Sequence, residues 1–223
     1  MQKKPRQKSK LSTQCLMNSL DKEYGPFNWE PRYNPADELV FTILSQHTSD
    51  INSERAFKIL MENFDSLNDI ADAEISQIEK CIKSAGLYRI KAKRIKDVLM
   101  WVRAEVGSFD LSFLSEMPLE DAKNWLKRID GIGPKTAAII LCFSLGMPAM
   151  PVDTHIYRVS KRLGYIGPKV SADKAHDILE PMVPPEDVFR FHLYLINHGR
   201  KVCKALRPLC HQCTISWGCP SRR

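Results

Sequence analysis

The stretch "LKRIDGIGPKTAAII", Leu126 to Ile140, joins two apolar runs through two glycines and a proline. Gly131 and Gly133 flank a single apolar residue, Ile132, and permit a tight turn whose backbone N–H groups point outward. Pro134 stands at the first position of the next helix, where its missing N–H leaves no bond unmade. The pattern predicts a helix–hairpin–helix: a nest of amides at a helix N-terminus, able to hold a phosphate without reading bases. An ordinary helical corner fits the same residues. A dinucleotide-binding turn does not, because neither a preceding strand nor a third glycine is present.

Working outward, the periodicity stays helical. "PKTAAIILCFSLG" is apolar nearly all round and predicts a central buried helix. "ADELVFTILSQHTSD" predicts another mostly buried helix, and "INSERAFKILMENF" carries three-and-four spacing. "AEISQIEKCIKSAG" and "YRIKAKRIKDVLMWVRAEVG" each stop at a glycine, and "PLEDAKNWLKRI" opens with Pro118 as a first helical residue. "VDTHIYRVSKRLG", "SADKAHDILEPMV" and "PEDVFRFHLYLINHGRKV" complete the set. No segment alternates with period two, so the expected fold class is all-α.

The 223 residues suffice for one large domain or two small ones. Thirty-three Lys and Arg against 26 Asp and Glu give a net charge of +7, which suits a polyanionic partner. No apolar run reaches the ~18 residues of a membrane span, so no membrane partner is expected. Residues 1–10, "MQKKPRQKSK", read as a solvated, disordered basic tail and not a secretory signal. A cytoplasmic, reducing compartment is the expectation, in which clustered cysteines bind metal.

Lys135 falls in the first turn of the apolar helix, where a cation opposes the helix dipole. Field and desolvation there favour the neutral amine, a nucleophile able to form a Schiff base with a sugar carbon. A surface lysine extending off the helix end is the plainer reading of this residue alone. Eighteen residues on, "PVDTHIYRV" places Asp153 and Thr154 before a periodic helix, so either is a candidate N-cap. Asp153 is also a candidate catalytic carboxylate, if it faces Lys135.

Four of the seven cysteines fall in the last 22 residues, as Cys203, Cys210, Cys213 and Cys219, with six, two and five residues between them. One short pair flanked by single cysteines matches neither the usual structural zinc spacing nor the ferredoxins, and suits a cubane cluster approached from several directions. Cys81 and Cys142 read as small core residues, and Cys15 as structural.

The order "GIGPK", "VDTH", then Cys-x6-Cys-x2-Cys-x5-Cys resembles the endonuclease III family of base-excision DNA glycosylases, from about Asn28 to Cys219. The resemblance implies two helical domains with DNA held in the cleft between them. One is a six-helix barrel over 28–148, with the helix–hairpin–helix at about 120–146. The other combines 1–27 with 149–223 and carries the cluster loop at 203–219. It implies Lys135 as the nucleophile attacking sugar C1′ and Asp153 as the catalytic carboxylate. Cys203, Cys210, Cys213 and Cys219 would ligate a [4Fe–4S] cluster. Gly131, Gly133, Thr136 and His155 would contact DNA. "LSQHTSD" resembles the wedge loop that fills the hole left by a flipped nucleotide, with His47 at the tip and Gln46 before it. The family commonly has Gln there. "AGLYRIKAKRI" resembles a second loop, with Leu87 as the apolar wedge or, on its own residues, a loop leucine packing on Tyr88. Asp130 departs from the proline usual before the first glycine and is expected to point away from a phosphate. Lys204 and Arg207, inside the six-residue gap, would face the phosphate backbone.

Together these residues read as a monomeric glycosylase with AP lyase activity, acting on oxidised pyrimidines or abasic sites in double-stranded DNA. A same-fold enzyme for mismatched or deaminated bases, a non-enzymatic DNA-binding module with a structural metal, and a small electron-transfer protein are the competing readings.

Overall fold

The computed structural model describes residues 11–222, and the basic tail expected over 1–10 lies outside them. Among the described residues there are eleven α-helices, several 3₁₀ turns and no strand. The expected all-α class is what the chain forms.

Packing divides the chain into two units: Glu30–Met147, and the segments on either side of it. In the first unit, α2 (Pro35–Ser45) starts at Asn34, whose side chain accepts from the Asp37 amide, with Pro35 in the first turn. After it come α3 (Asp50–Asn63), the short α4 (Leu67–Asp72), α5 (Ile75–Cys81), α6 (Tyr88–Val106), α7 (Leu119–Lys127) and α8 (Pro134–Leu145). The apolar α8 packs on α2 and α7, and its Ala137, Ile140 and Leu141 have no exposed surface. A polar tie joins α2 to the end of α8. Arg32 pairs with the fully buried Glu38, donates its N–H to the Phe143 carbonyl (3.2 Å), and lies over the Phe41 and Phe143 rings. Burial pushes the Glu38 carboxyl above its ordinary range, and the guanidinium opposes that shift.

The second unit holds α1 (Thr13–Tyr24), capped by Ser12, together with α9 (Thr154–Leu163), α10 (Ala172–Leu179) and α11 (Val188–Lys201). Here α11 packs on α1 and α9. The α9–α11 approach is close because Gly199 has no side chain: a Cβ there would lie 2.9 Å from the Cβ of His155.

Two local expectations change, and one short helix is found that the sequence reading did not include. Pro118 is the N-cap of α7 and not its first helical residue, since its ψ of 140° is extended. The six-residue α4 carries too short a pattern to register as periodic. Cys15 is exposed on α1, so it is not a packing residue, while Cys142 is buried and Cys81 half-buried.

Gly199→Ala is expected to lower unfolding stability by ~1–3 kcal/mol through overpacking against His155, read as a lower denaturant midpoint at unchanged slope.

Candidate functional site

The hairpin begins where α7 runs out. Ile129 and Ile132 are buried, at 1% and 5% exposure, and the Ile132 amide donates to the Ile129 carbonyl (3.0 Å). These two side chains pin the turn to the core, so the glycines are free to form its outer edge. Gly131 has φ +81°, in the left-handed region that favours glycine, and a Cβ there would meet Arg94 Nε at 3.0 Å. Gly133 is the N-cap of α8 and supplies no capping side chain. The first-turn amides of α8 therefore have no side-chain acceptor. Lys135 is the second residue of α8 and is exposed, so its amine stands at the open start of the helix. Thr136 is buried, at 7% exposure, and its backbone amide belongs to the same uncapped first turn of α8. Asp130 is exposed and borders a groove of about 320 Å³ with Ile90, Lys93, Arg94 and Trp101.

Two further loops of this unit share an unusual backbone. His47 (φ 54°) and Leu87 (φ 46°) are the only non-glycine residues with positive φ among the described residues. Such a conformation costs ~1–3 kcal/mol at each residue and persists only where the surroundings enforce it. Leu87 is 58% exposed, so it does not bury itself on a neighbour, and His47 is exposed as well. Gln46 is half-buried, and its side-chain carbonyl accepts from Arg94 (2.9 Å), leaving His47 as the tip. Both loops meet at Lys91, on the first turn of α6, which is 4% exposed. Its ammonium donates to the Leu44 carbonyl (2.7 Å), the Thr48 hydroxyl (2.6 Å) and the Ala85 carbonyl (2.8 Å). The Thr48 hydroxyl in turn donates to Ala85. Burial lowers the Lys91 ammonium to about 8.

In the second unit Asp153 is the N-cap of α9, its Oδ1 accepting from the Ile156 amide at 2.7 Å. The segment before it is fixed by the half-buried Glu180 and two buried histidines. Glu180 accepts from the Met150 amide (2.9 Å), His176 bonds the Met150 carbonyl (2.7 Å), and His192 bonds the Pro151 carbonyl (2.9 Å). A carbonyl can only accept, so both imidazoles carry their proton on Nδ1. His155 is half-buried against Gly199, its Nδ1 3.0 Å from Arg158. Lys135 and Asp153 belong to different units.

Cys203, Cys210, Cys213 and Cys219 line one cavity of about 220 Å³, walled by Val159, Leu163, Val202, Leu209 and Ile215. None of the four is in a disulfide. Among the described residues, no three His, Cys, Asp or Glu side chains converge as a single metal ion would require. Burial pushes the Cys213 thiol up to about 11 and raises Cys219 as well. The loop leaving Cys203 is held by two arginines of α9. Arg162 donates to the carbonyls of Cys203 (3.3 Å), Lys204 (2.8 Å) and Ala205 (2.8 Å) and lies 3.2 Å from Cys203 Sγ. Arg158 donates to the carbonyls of Cys203 (3.1 Å) and Gly199 (2.9 Å). Lys204, Leu206 and Arg207 are all exposed, Leu206 at 90%. Nothing in the spacing of α9 or α6 pointed to Arg158, Arg162, Lys91 or Arg94, because most of their partners lie far away in sequence: loop and helix-end carbonyls for Arg158, Arg162 and Lys91, and the Gln46 side chain for Arg94.

These features define an all-helical, helix–hairpin–helix protein with a four-cysteine C-terminal loop. Residues 40–185 match the model of the HhH-GPD superfamily, base excision DNA repair proteins. A putative DNA glycosylase of Arabidopsis thaliana is 36% identical over 86% of this chain, which spans 63% of that relative's length. Endonuclease III of Sulfolobus acidocaldarius is 36% identical over 79% of this chain and 78% of its own. The structure of a trapped endonuclease III–DNA covalent intermediate superposes with a TM-score of 0.79 at 28% identity, over 92% of both chains. The chain belongs to the HhH-GPD superfamily and, within it, to the endonuclease III family.

Because Asn caps as well as Asp, Asp153→Asn should leave unfolding stability within ~0.5 kcal/mol, while Asp153→Ala should cost ~0.5–2 kcal/mol, both read by denaturant melts.

Proposed function

We propose that this chain is a bifunctional DNA glycosylase and AP lyase that removes oxidised pyrimidines from duplex DNA and nicks the strand. The observation that carries the reading is Lys135, an exposed amine on the first turn of a helix whose N-terminus has no capping side chain and comes directly after a glycine hairpin. The amides of that turn suit a phosphate, which would bring a sugar within reach of the amine. The likeness to a trapped covalent endonuclease III–DNA intermediate supports the same chemistry.

In this reading the Lys135 Nζ lone pair forms a bond to C1′, and the glycosidic C–N bond breaks. The base leaves with the electron pair and takes up a proton. Opening of the sugar ring gives the protonated imine. Loss of a C2′ proton then expels the 3′ phosphate by β-elimination, and water hydrolyses the imine to restore the amine. Asp153 is the carboxylate that stabilises positive charge on the sugar or accepts a proton. Its hydrogen bond from Ile156 and the fixed Met150–Val152 segment give it one orientation. His47 and Leu87 would fill the duplex where the damaged nucleotide leaves it. Their exposed side chains and enforced left-handed backbones support that role.

The four cysteines fit a [4Fe–4S] cluster better than a single ion. They line one cavity with Val159, Leu163, Val202, Leu209 and Ile215 in its wall, and their spacing is not that of the usual structural zinc site. Cys203, Cys210, Cys213 and Cys219 would hold it as thiolates, overcoming the burial that keeps Cys213 protonated. When bound it would pin the 203–219 loop, whose exposed Lys204 and Arg207 would contact phosphates. The protein is expected to act on damaged or abasic double-stranded DNA as a monomer.

Borohydride added to the protein with abasic duplex DNA should give a covalent adduct, absent for Lys135→Ala; no adduct with the unaltered chain refutes the lyase. Asp153→Asn should cut base release by at least ~100-fold at unchanged stability. Anaerobically purified protein should be coloured and contain iron and sulfide, and Cys213→Ala should lose both; zinc in place of iron refutes the cluster. Lys204→Ala and Arg207→Ala should each lower the slope of log affinity against log salt by about 1, measured by fluorescence anisotropy.

A further inference from the structure

Lys91 is not accounted for by core packing. It is 4% exposed, and none of the three partners of its ammonium is a carboxylate. An ammonium has three donors, and here each has one acceptor: two backbone carbonyls and a hydroxyl. The Leu44 carbonyl belongs to the last turn of α2, and the Ala85 carbonyl ends the 3₁₀ turn Lys83–Ala85. Both are groups that a helix end leaves without a partner, and a cation is the favoured group to satisfy them.

The sequence neighbours of these acceptors give the lysine its meaning. Thr48 adjoins His47, and Leu44 precedes it by three residues; Ala85 precedes Leu87 by two. The two left-handed, exposed non-glycine residues among the described residues of this unit are thus presented by two loops that share one buried ammonium. The Thr48 hydroxyl, bonded to Ala85, closes the link directly. We propose that Lys91 is a positioning residue that locks the two loops into one two-pronged wedge, so that His47 and Leu87 enter the duplex together. The proposal rests on the glycosylase reading and adds to it the residue that sets the wedge. Arg94, one turn along α6, extends the frame: it holds Gln46 and lies beneath Gly131 of the hairpin.

A wedge is needed to open a duplex and not to react with a sugar already exposed. The test therefore compares two substrates of the full chain: duplex DNA carrying thymine glycol with 2-aminopurine opposite, and a single-stranded oligonucleotide carrying an abasic site. For Lys91→Met, base release from the duplex and the 2-aminopurine fluorescence rise should both fall, release by about 100-fold, while borohydride adducts on the single strand stay within about twofold. Thr48→Val removes one acceptor without stranding a charge, and should show a smaller loss confined to the duplex. It decides the matter if Lys91→Met does not fold. Duplex opening equal to the unaltered chain, or equal losses on both substrates, overturns the role of Lys91 alone. If the unaltered chain neither releases the base nor forms an adduct, the glycosylase reading falls and the role of Lys91 with it.

Discussion

An α-helix leaves backbone donors at its start and acceptors at its end that its own ladder cannot satisfy. The functional features of this chain are the different ways those groups find partners. The start of α8 has no side-chain cap and its amides are left for a ligand. The start of α9 is closed by a carboxylate, Asp153, which acquires a fixed orientation by doing so. The ends of α2 and of the turn before Gly86 are closed together by Lys91. Beyond the end of α11, the first carbonyls of the cysteine loop are closed by Arg162. Helix length matters less here than what stands at each terminus.

Two strained loops persist because of what they are tied to. Left-handed backbone at His47 and Leu87 costs ~1–3 kcal/mol each. Lys91 ties both loops through three hydrogen bonds, against the cost of burying its ammonium. The geometry is therefore imposed by tertiary contacts and not by local preference.

How much of this was legible in the sequence depends on where the partners lie. The hairpin announces itself because Gly131, Gly133 and Pro134 are adjacent and each has a conformational reason to be there. The cysteines stand out because rare residues cluster. Asp153 was legible both as a cap and as a carboxylate, and the structure makes it a cap without removing the second use. Thr136 was legible only in part: its place on the first turn of α8 follows from the hairpin, but its burial, at 7% exposure, comes from the packing around it. Lys91 resisted reading altogether. In "YRIKAKRIKDVLM" it looks like one of several solvated cations, and only burial against carbonyls 6 and 47 residues away distinguishes it.

The helix α9 also fixes a length. Asp153 caps its first turn, while Arg162, on its last turn, grips the cysteine loop. The ten residues of the helix make a rod of ~15 Å. Helices resist bending and stretching, so the rod works as a ruler: it keeps the carboxylate and the start of the cysteine loop in constant register. A disturbance at the loop would reach Asp153 as a displacement of the whole helix and not as a local distortion that dies away between them.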